Sequence, residues 1–467
     1  MSLAQELISR IRRVAPQSKV LESPAQMAGY DTDGIGYKSF PPDAVVIPAD
    51  AGELQAIIPE LHGAGVPVCM RGAGTSLAGG PVAAQGGVIV HTSRLKAIRE
   101  IQSEGFWCEV ECGVNLSRLD EALRPFGLCY PPDPSSGPVC TIGGNVASNA
   151  GGASCFRYGV TGNYVLGLEV VMRDGSVRQF GGPCGGRGPW REDWKRLMVG
   201  SEGTLGAFTR FWLRLTPRAE KTWTFRATYP CLQSTERAIH ALVRHPAYPT
   251  AIELMDPRAV EMVERSPMAA GLPLEHFLLV VEIDGPAALV DHRARTIAAT
   301  LRNAGSVNVA SGDDPEERES LLKARKAIGG ILGQASADFL VQDAVIPKRA
   351  LAEILGLIHT DAERAGIPVV TVMHAGDGNL HPNFLFDSRQ PREVEKIEAI
   401  SKHLMERVLA VGGTLSGEHG IGNDKTAYMG AVFGPESSRM QLGVPGAFDP
   451  LCQWNPLKVF SERRFAA

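Results

Sequence analysis

Val68-Cys69-Met70-Arg71-Gly72-Ala73-Gly74-Thr75-Ser76-Leu77-Ala78-Gly79-Gly80 is a β-type run that breaks into a glycine-rich turn carrying one arginine and two hydroxyls. Successive backbone N–H groups with no side chain in the way form a concave anion site. The Thr75 and Ser76 hydroxyls add donors, so a pyrophosphate suits this stretch. No Gly-Lys-Ser/Thr follows, which excludes a Walker loop, and the strict GxGxxG spacing of a dinucleotide turn is absent. By itself the stretch fits a tight structural turn equally well.

Outward from it, β-rich runs alternate with amphipathic ones: Ala44–Ile47, a helix over Gly52–Gly63, Val66–Met70, Gly87–His91 and Trp107–Glu111. That alternation predicts α/β layering. Glycine concentrates in Arg71–Gly87 and again in Gly143–Gly162, each after an extended run, and both read as loops pressed against something rather than helix interiors. The second concentration is entered by Tyr130-Pro131-Pro132-Asp133-Pro134-Ser135-Ser136, where the prolines fix an extended lead-in. It continues through Thr141-Ile142-Gly143-Gly144-Asn145-Val146-Ala147-Ser148-Asn149-Ala150-Gly151-Gly152. A third loop of the same character is Val199-Gly200-Ser201-Glu202-Gly203-Thr204-Leu205-Gly206. Near Pro217 the texture changes to strands such as Thr222–Thr228, Ala251–Met255, Phe277–Ile283, Phe339–Ile346 and Val369–His374, interleaved with helices, which predicts an α+β second domain.

The chain has 467 residues, enough for two or three domains, and a net charge of −4 with no basic block, so the footprint of a nucleic-acid binder is missing. Nine scattered cysteines show no CxxC pairing, which fits reduced thiols in a cytoplasmic setting. Met1–Arg13 reads as a short amphipathic helix with Leu3, Leu7 and Ile8 apolar. It is compatible with a weak contact to another subunit or, peripherally, to the inner face of a membrane, or with an ordinary surface helix.

The three loops together, in this order, resemble the FAD-binding domain of the vanillyl-alcohol-oxidase superfamily. The resemblance implies an α+β protein: a two-lobed α/β FAD-binding domain over 1–217, then an α+β substrate cap with an antiparallel sheet over 218–425. A segment over 426–467 would pack back on the FAD domain. It also implies FAD contacts from Arg71, Gly72, Ala73, Gly74, Thr75, Ser76 and Gly79 at the pyrophosphate. Pro131, Asp133, Ser135, Gly143, Gly144, Asn145, Ser148, Gly151 and Gly152 would lie along the ring and ribityl chain, with Glu202, Gly203 and Asn455 completing the set. Ser76 stands near the place where covalently flavinylated relatives carry a histidine, so dissociable FAD is expected.

In the second half, Val372-Met373-His374-Ala375-Gly376-Asp377-Gly378-Asn379-Leu380-His381-Pro382-Asn383 reads as a hairpin with a histidine on either side of the turn. Two imidazoles so placed can share a divalent ion, and Thr414-Leu415-Ser416-Gly417-Glu418-His419-Gly420 offers a carboxylate to complete a His₂Glu set. Hydrogen-bonded turn histidines are the plainer alternative. Together these loops resemble the FAD-linked D-2-hydroxy-acid dehydrogenases, among them members that take glycolate or D-lactate. That resemblance implies a divalent metal, zinc or manganese, on His374, His381 and Glu418, with His419 as base, Asn383 beside the substrate and Arg325 on its carboxylate. A small 2-hydroxy acid would become the 2-oxo acid, with hydride passing to flavin N5. The electrons would go on to a quinone, a cytochrome or an iron–sulfur subunit, since no nicotinamide or cluster motif is present. Some relatives acting on longer dicarboxylic hydroxy acids carry a lysine in the strand matching Phe339–Asp343, and this chain has none, which favours a small monocarboxylate. Two other readings stand beside this one: a flavin-binding subunit active only with its partners in a hetero-oligomer, and a metal-dependent hydrolase, which would leave the three loops unexplained.

Overall fold

The computed structural model describes residues 5–183 and 193–461, and the chain divides into two compact units. The first comprises Met1–Gly151, Val160–Pro217 and Glu418–Ala467; the second comprises Gly152–Gly159 and Arg218–Gly417.

In the first unit, the strands Ala44–Ile47, Val88–His91 and Val68–Arg71 run parallel, with Lys19–Leu21 antiparallel on the outer edge of Ala44–Ile47. These short runs are apolar on both faces, as parallel strands require. Val45, Cys69 and Ile89 form a small core with Ala83. The helix Ala51–Gly63 is capped by Asp50, whose side chain accepts from the Glu53 N–H, and buries Leu54, Ile57, Ile58 and Leu61. Helix Gln5–Val14 turns Leu7, Ile8 and Ile11 inward, so the apolar face that made a membrane contact conceivable is used in packing; Leu3 lies outside the described residues.

A second sheet in this unit is five-stranded and antiparallel, in the order Ile98–Gln102, Trp107–Glu111, Ala207–Arg214, Val165–Val171, Val177–Gly181. The sequence pattern assigns only Trp107–Glu111 of it. Paired ions on one face, Arg210 between Glu109 and Glu169, interrupt the apolar alternation that would have marked the central strands.

Several features differ from expectation. The Gly143-Gly144 stretch is not a loop but the first turn of a helix, Ile142–Ser148, capped by Thr141, whose hydroxyl accepts from the Gly144 N–H. Its glycines serve close approach: a Cβ on Gly143 would lie 2.8 Å from the Cys112 carbonyl oxygen. Residues 152–159 belong to the second unit, because Arg157 pairs with Asp284 at 3.0 Å, the Tyr158 hydroxyl donates to Asp284 at 2.8 Å, and Phe156 packs where a Cβ on Gly376 would be. The second unit ends at Gly417 rather than 425, because the Glu202 carboxylate holds the backbone N–H groups of Ile421 and Gly422, and Asn423 N–H donates to Ala78 O. The tail also joins the first unit's sheet: Val68 N–H donates to Gln453 O and Asn455 N–H to Val68 O, each at 2.8 Å, with Trp454 fully buried.

The second unit is one antiparallel sheet in the order Asn308–Gly312, Lys221–Tyr229, Phe277–Gly285, Ala251–Met255, Val369–His374, Asn379–Phe386, Asp338–Val341, with Ala344–Val345 also pairing on Asn379–Phe386. The single run expected over Phe339–Ile346 is thus broken at Gln342-Asp343. Helices Pro257–Glu264 and Pro315–Ala335 cover one region of the sheet, packing Val260, Val263, Ile328 and Ile331 on Met255, Leu278, Val280, Val370 and Val372.

Candidate functional site

In the hairpin of the second unit, the register pairs His374 with Asn379, Val372 with His381 and Val370 with Asn383. Directly opposed residues and residues two apart share a face of an antiparallel sheet, so this register puts His374, Asn379, His381 and Asn383 on one side. The imidazoles of His374 and His381 lie edge to face with centroids 5.1 Å apart, and both are buried.

The neighbouring strand adds a carboxylate. Glu253 stands opposite His374 in the register and reaches two groups: Oε1 lies 2.6 Å from His374 Nδ1, and Oε2 accepts from Arg325 Nε at 2.8 Å. Burial pushes the Glu253 carboxyl up, but the His374 imidazole and the Arg325 guanidinium more than offset this and hold it below its usual range. Arg325 rides on the helix Pro315–Ala335 with its side chain 15% exposed. Only its Nε is engaged by Glu253, so the terminal end of the fork is not used in this contact. The Asn383 amide donates to His381 O at 2.8 Å and to Val370 O at 3.3 Å, which fixes the side chain on the hairpin.

Asp343, fully buried at the break in the outer strand, has Oδ1 4.0 Å from His381 Nδ1. Its Oδ2 accepts from the Ser416 hydroxyl at 2.6 Å and from Gly417 N–H at 3.1 Å. Gly417 is seated so tightly that a Cβ there would lie 2.5 Å from Asn379 Cγ. Glu253 and Asp343 were both missed by sequence reasoning. The available signal was a lone acidic residue inside a strand buried along its whole length, Ala251-Ile252-Glu253-Leu254-Met255, since such a charge needs partners.

In the first unit, the backbone N–H groups of Gly72 through Leu77 donate to no protein acceptor among the described residues, although the loop is half-buried. Gly72 cannot carry a side chain, for its Cβ would lie 2.3 Å from the Thr141 hydroxyl. Gly74 and Gly79 take φ of +77° and +74°. The Ser76 hydroxyl accepts from Ala78 and Gly80 N–H, and half-buried Asp33, its carboxyl pushed up by desolvation, accepts from Gly79 N–H at 2.7 Å. The Arg71 guanidinium donates to the carbonyls of Gly29, Tyr30, Thr32 and Pro81, which fastens the loop to its neighbours. Asn455 donates to Gly80 O and Glu202 O and so ties the first glycine loop to the third.

Glu202, with φ +51°, is pushed up by burial against the opposing pull of Ile421 and Gly422 N–H. Its carboxylate anchors the turn that follows His419. His419 Nε2 lies 3.4 Å from Glu418 Oε1. Gly203 sits against Asn455, and the Ser148 hydroxyl donates to Gly144 O. The Pro131–Ser135 lead-in ends in a turn closed by Gly137 N–H on Pro134 O.

Residues 42–181 match the FAD binding domain family, and residues 218–459 match the family of FAD linked oxidases, C-terminal domain. The glycolate oxidase subunit GlcD of Bacillus subtilis (strain 168) is 32% identical, covering 98% of this chain and 98% of the relative. The D-lactate dehydrogenase of Archaeoglobus fulgidus is 32% identical, covering 89% of this chain and 90% of the relative. Among solved structures, p-cresol methylhydroxylase with substrate bound superposes at a TM-score of 0.81 and 14% identity, covering 98% of this chain and 97% of that one. A 4-ethylphenol oxidase from Gulosibacter chungangensis gives 0.78 at 18% identity, covering 97% and 96%. These two likenesses show the fold, a two-domain α+β architecture. With family matches over both halves and full-length relatives at this identity, the chain belongs to the FAD-linked oxidases.

Proposed function

We propose that the protein oxidises a small D-2-hydroxy acid, glycolate or D-lactate, to the 2-oxo acid, using dissociable FAD and a divalent metal. The observation that carries this reading is the buried His374–His381 pair on one sheet face, backed by Glu253 and Arg325, in a chain of the FAD-linked oxidase family. The relatives named glycolate oxidase subunit and D-lactate dehydrogenase support the substrate class.

The half-buried N–H groups of Gly72–Leu77, without protein acceptors among the described residues, suit a diphosphate. FAD bound there supplies the two-electron acceptance that no side chain offers. The donor set also suits a cation. With His374 Nδ1 donating to Glu253, the ring lone pair is on Nε2, the arrangement metal-binding histidines adopt. Glu418 follows Gly417 in the chain, and consecutive Cα atoms are about 3.8 Å apart. Glu418 supplies the carboxylate of the His₂Glu set that the family resemblance implies. His374, His381 and Glu418 would hold zinc or manganese, which as a Lewis acid lowers the pKa of a hydroxyl at the site.

The protein groups divide the remaining work. The Arg325 fork, planar and permanently charged, pairs with the substrate carboxylate. His419 accepts the hydroxyl proton on a ring nitrogen. Asn383, pinned to the hairpin backbone, lines the substrate's place. Electrons leave to a quinone, a cytochrome or an iron–sulfur subunit, and the word subunit in the name of the Bacillus relative supports a hetero-oligomer. Among the described residues no helix is long and apolar enough to cross a membrane.

The test is an anaerobic absorbance titration of the purified yellow protein with glycolate, D-lactate, L-lactate and D-2-hydroxyglutarate. Bleaching of the flavin band by glycolate or D-lactate is expected; bleaching by D-2-hydroxyglutarate alone, or by none of the four even with an artificial dye acceptor present, removes the substrate assignment.

A further inference from the structure

Glu253 is the one charged residue of the strand Ala251–Met255, and its side chain is 6% exposed. Each of its two oxygens has its own partner: Oε1 meets His374 Nδ1 at 2.6 Å and Oε2 meets Arg325 Nε at 2.8 Å. We propose that Glu253 is a positioning residue that couples the metal ligand His374 to the substrate-binding Arg325, so that one buried carboxylate aims both. The inference rests on the reading of the preceding subsection.

The argument is geometric. Directly opposed residues of an antiparallel pair have Cβ atoms about 4.5–5.5 Å apart, so the register Glu253–His374 brings the carboxylate to the ring without any strain in the strand. Held on Nδ1, the ring has one tautomer and one orientation, with Nε2 turned away from the strand of Glu253. Arg325 arrives from the helix Pro315–Ala335, and a contact through Nε leaves the flat Nη1/Nη2 end of the fork to a second carboxylate. An apolar residue at 253 would leave two buried donors without an acceptor. An aspartate keeps the charge but is one methylene short of spanning both partners, and a glutamine offers one acceptor oxygen where two are needed.

The experiment uses full-length, FAD-loaded protein: wild type, Glu253→Gln and Glu253→Asp. Mn²⁺ alone is the metal probe, titrated by electron paramagnetic resonance, and KM and kcat are measured with whichever of glycolate and D-lactate is oxidised. Flavin content and melting temperature identify variants that fold; if the glutamine variant does not, the aspartate variant carries the test. In a folded variant, Mn²⁺ affinity is expected to fall about 10–100-fold and KM to rise by about tenfold or more. A role confined to stability would lower the melting temperature and leave Mn²⁺ affinity unchanged, and that result overturns the proposal. Weaker Mn²⁺ binding with an unchanged KM overturns the coupling to Arg325. A wild-type protein that binds no Mn²⁺ or Zn²⁺ overturns the metal reading and the coupling together, and it is told apart because wild type and variant then behave alike.

Discussion

In the glycine loop of the first unit the groups on offer are main-chain: six successive N–H donors from Gly72 to Leu77, with Arg71 and Asp33 bracing the loop from outside. In the hairpin of the second unit they are side chains: two imidazoles, an amide and a guanidinium gathered on one sheet face by strand register and by a carboxylate from the next strand. A main-chain site tolerates exchange of side-chain chemistry but not an added Cβ where chains meet. A side-chain site should behave the other way round, losing its chemistry with one functional group while its backbone stands.

The sharpest contrast is expected from His419→Ala. Removing the proposed base should slow substrate-dependent flavin reduction by about 10²–10⁴-fold while flavin content stays at the wild-type level, as read by anaerobic stopped-flow absorbance and by the visible spectrum. Full turnover by this variant would end the assignment of His419. The loop should respond in the opposite sense. Gly72→Ala forces a Cβ to within 2.3 Å of the Thr141 hydroxyl, itself the cap of helix Ile142–Ser148. Overpacking of this kind costs about 1–3 kcal/mol, and flavin affinity, followed by fluorescence quenching, should weaken while any flavin that remains bound is still reduced by substrate. Ser76→Ala, which removes only a hydroxyl accepting from Ala78 and Gly80 N–H, should change that affinity less. If the serine variant loses more flavin than the glycine variant, the loop is not a main-chain site.

The same contrast explains what was legible in the sequence. Glycines that must stay bare announce themselves, so the first loop could be read from Val68–Gly80 alone, and two histidines flanking a Gly-Asp-Gly-Asn turn mark their own hairpin. Glu253 lies 121 residues before His374 and meets it only because the sheet order places Ala251–Met255 beside Val369–His374, an order no local pattern encodes. Asp343 was hidden in the same way, inside what looked like one continuous strand. Arg71 and Glu202 sit in the glycine loops and turn their charges onto backbone groups of other segments, partners that no local pattern signals. Gly143 and Gly144 predict a loop, since glycine disfavours helices; in the first turn of Ile142–Ser148, close to the Cys112 carbonyl, approach distance outweighs propensity.

The central claim, that the histidine face acts through a metal on a hydroxy acid whose electrons go to FAD, is tested most directly by anaerobic flavin reduction before and after chelation. Purified protein is mixed with the substrate that bleaches it, then with the same substrate after chelator treatment, and again after Mn²⁺ or Zn²⁺ is restored. The account predicts bleaching, its loss with flavin still bound, and its recovery with metal. Undiminished bleaching in chelated protein shown to be free of divalent metal would contradict it.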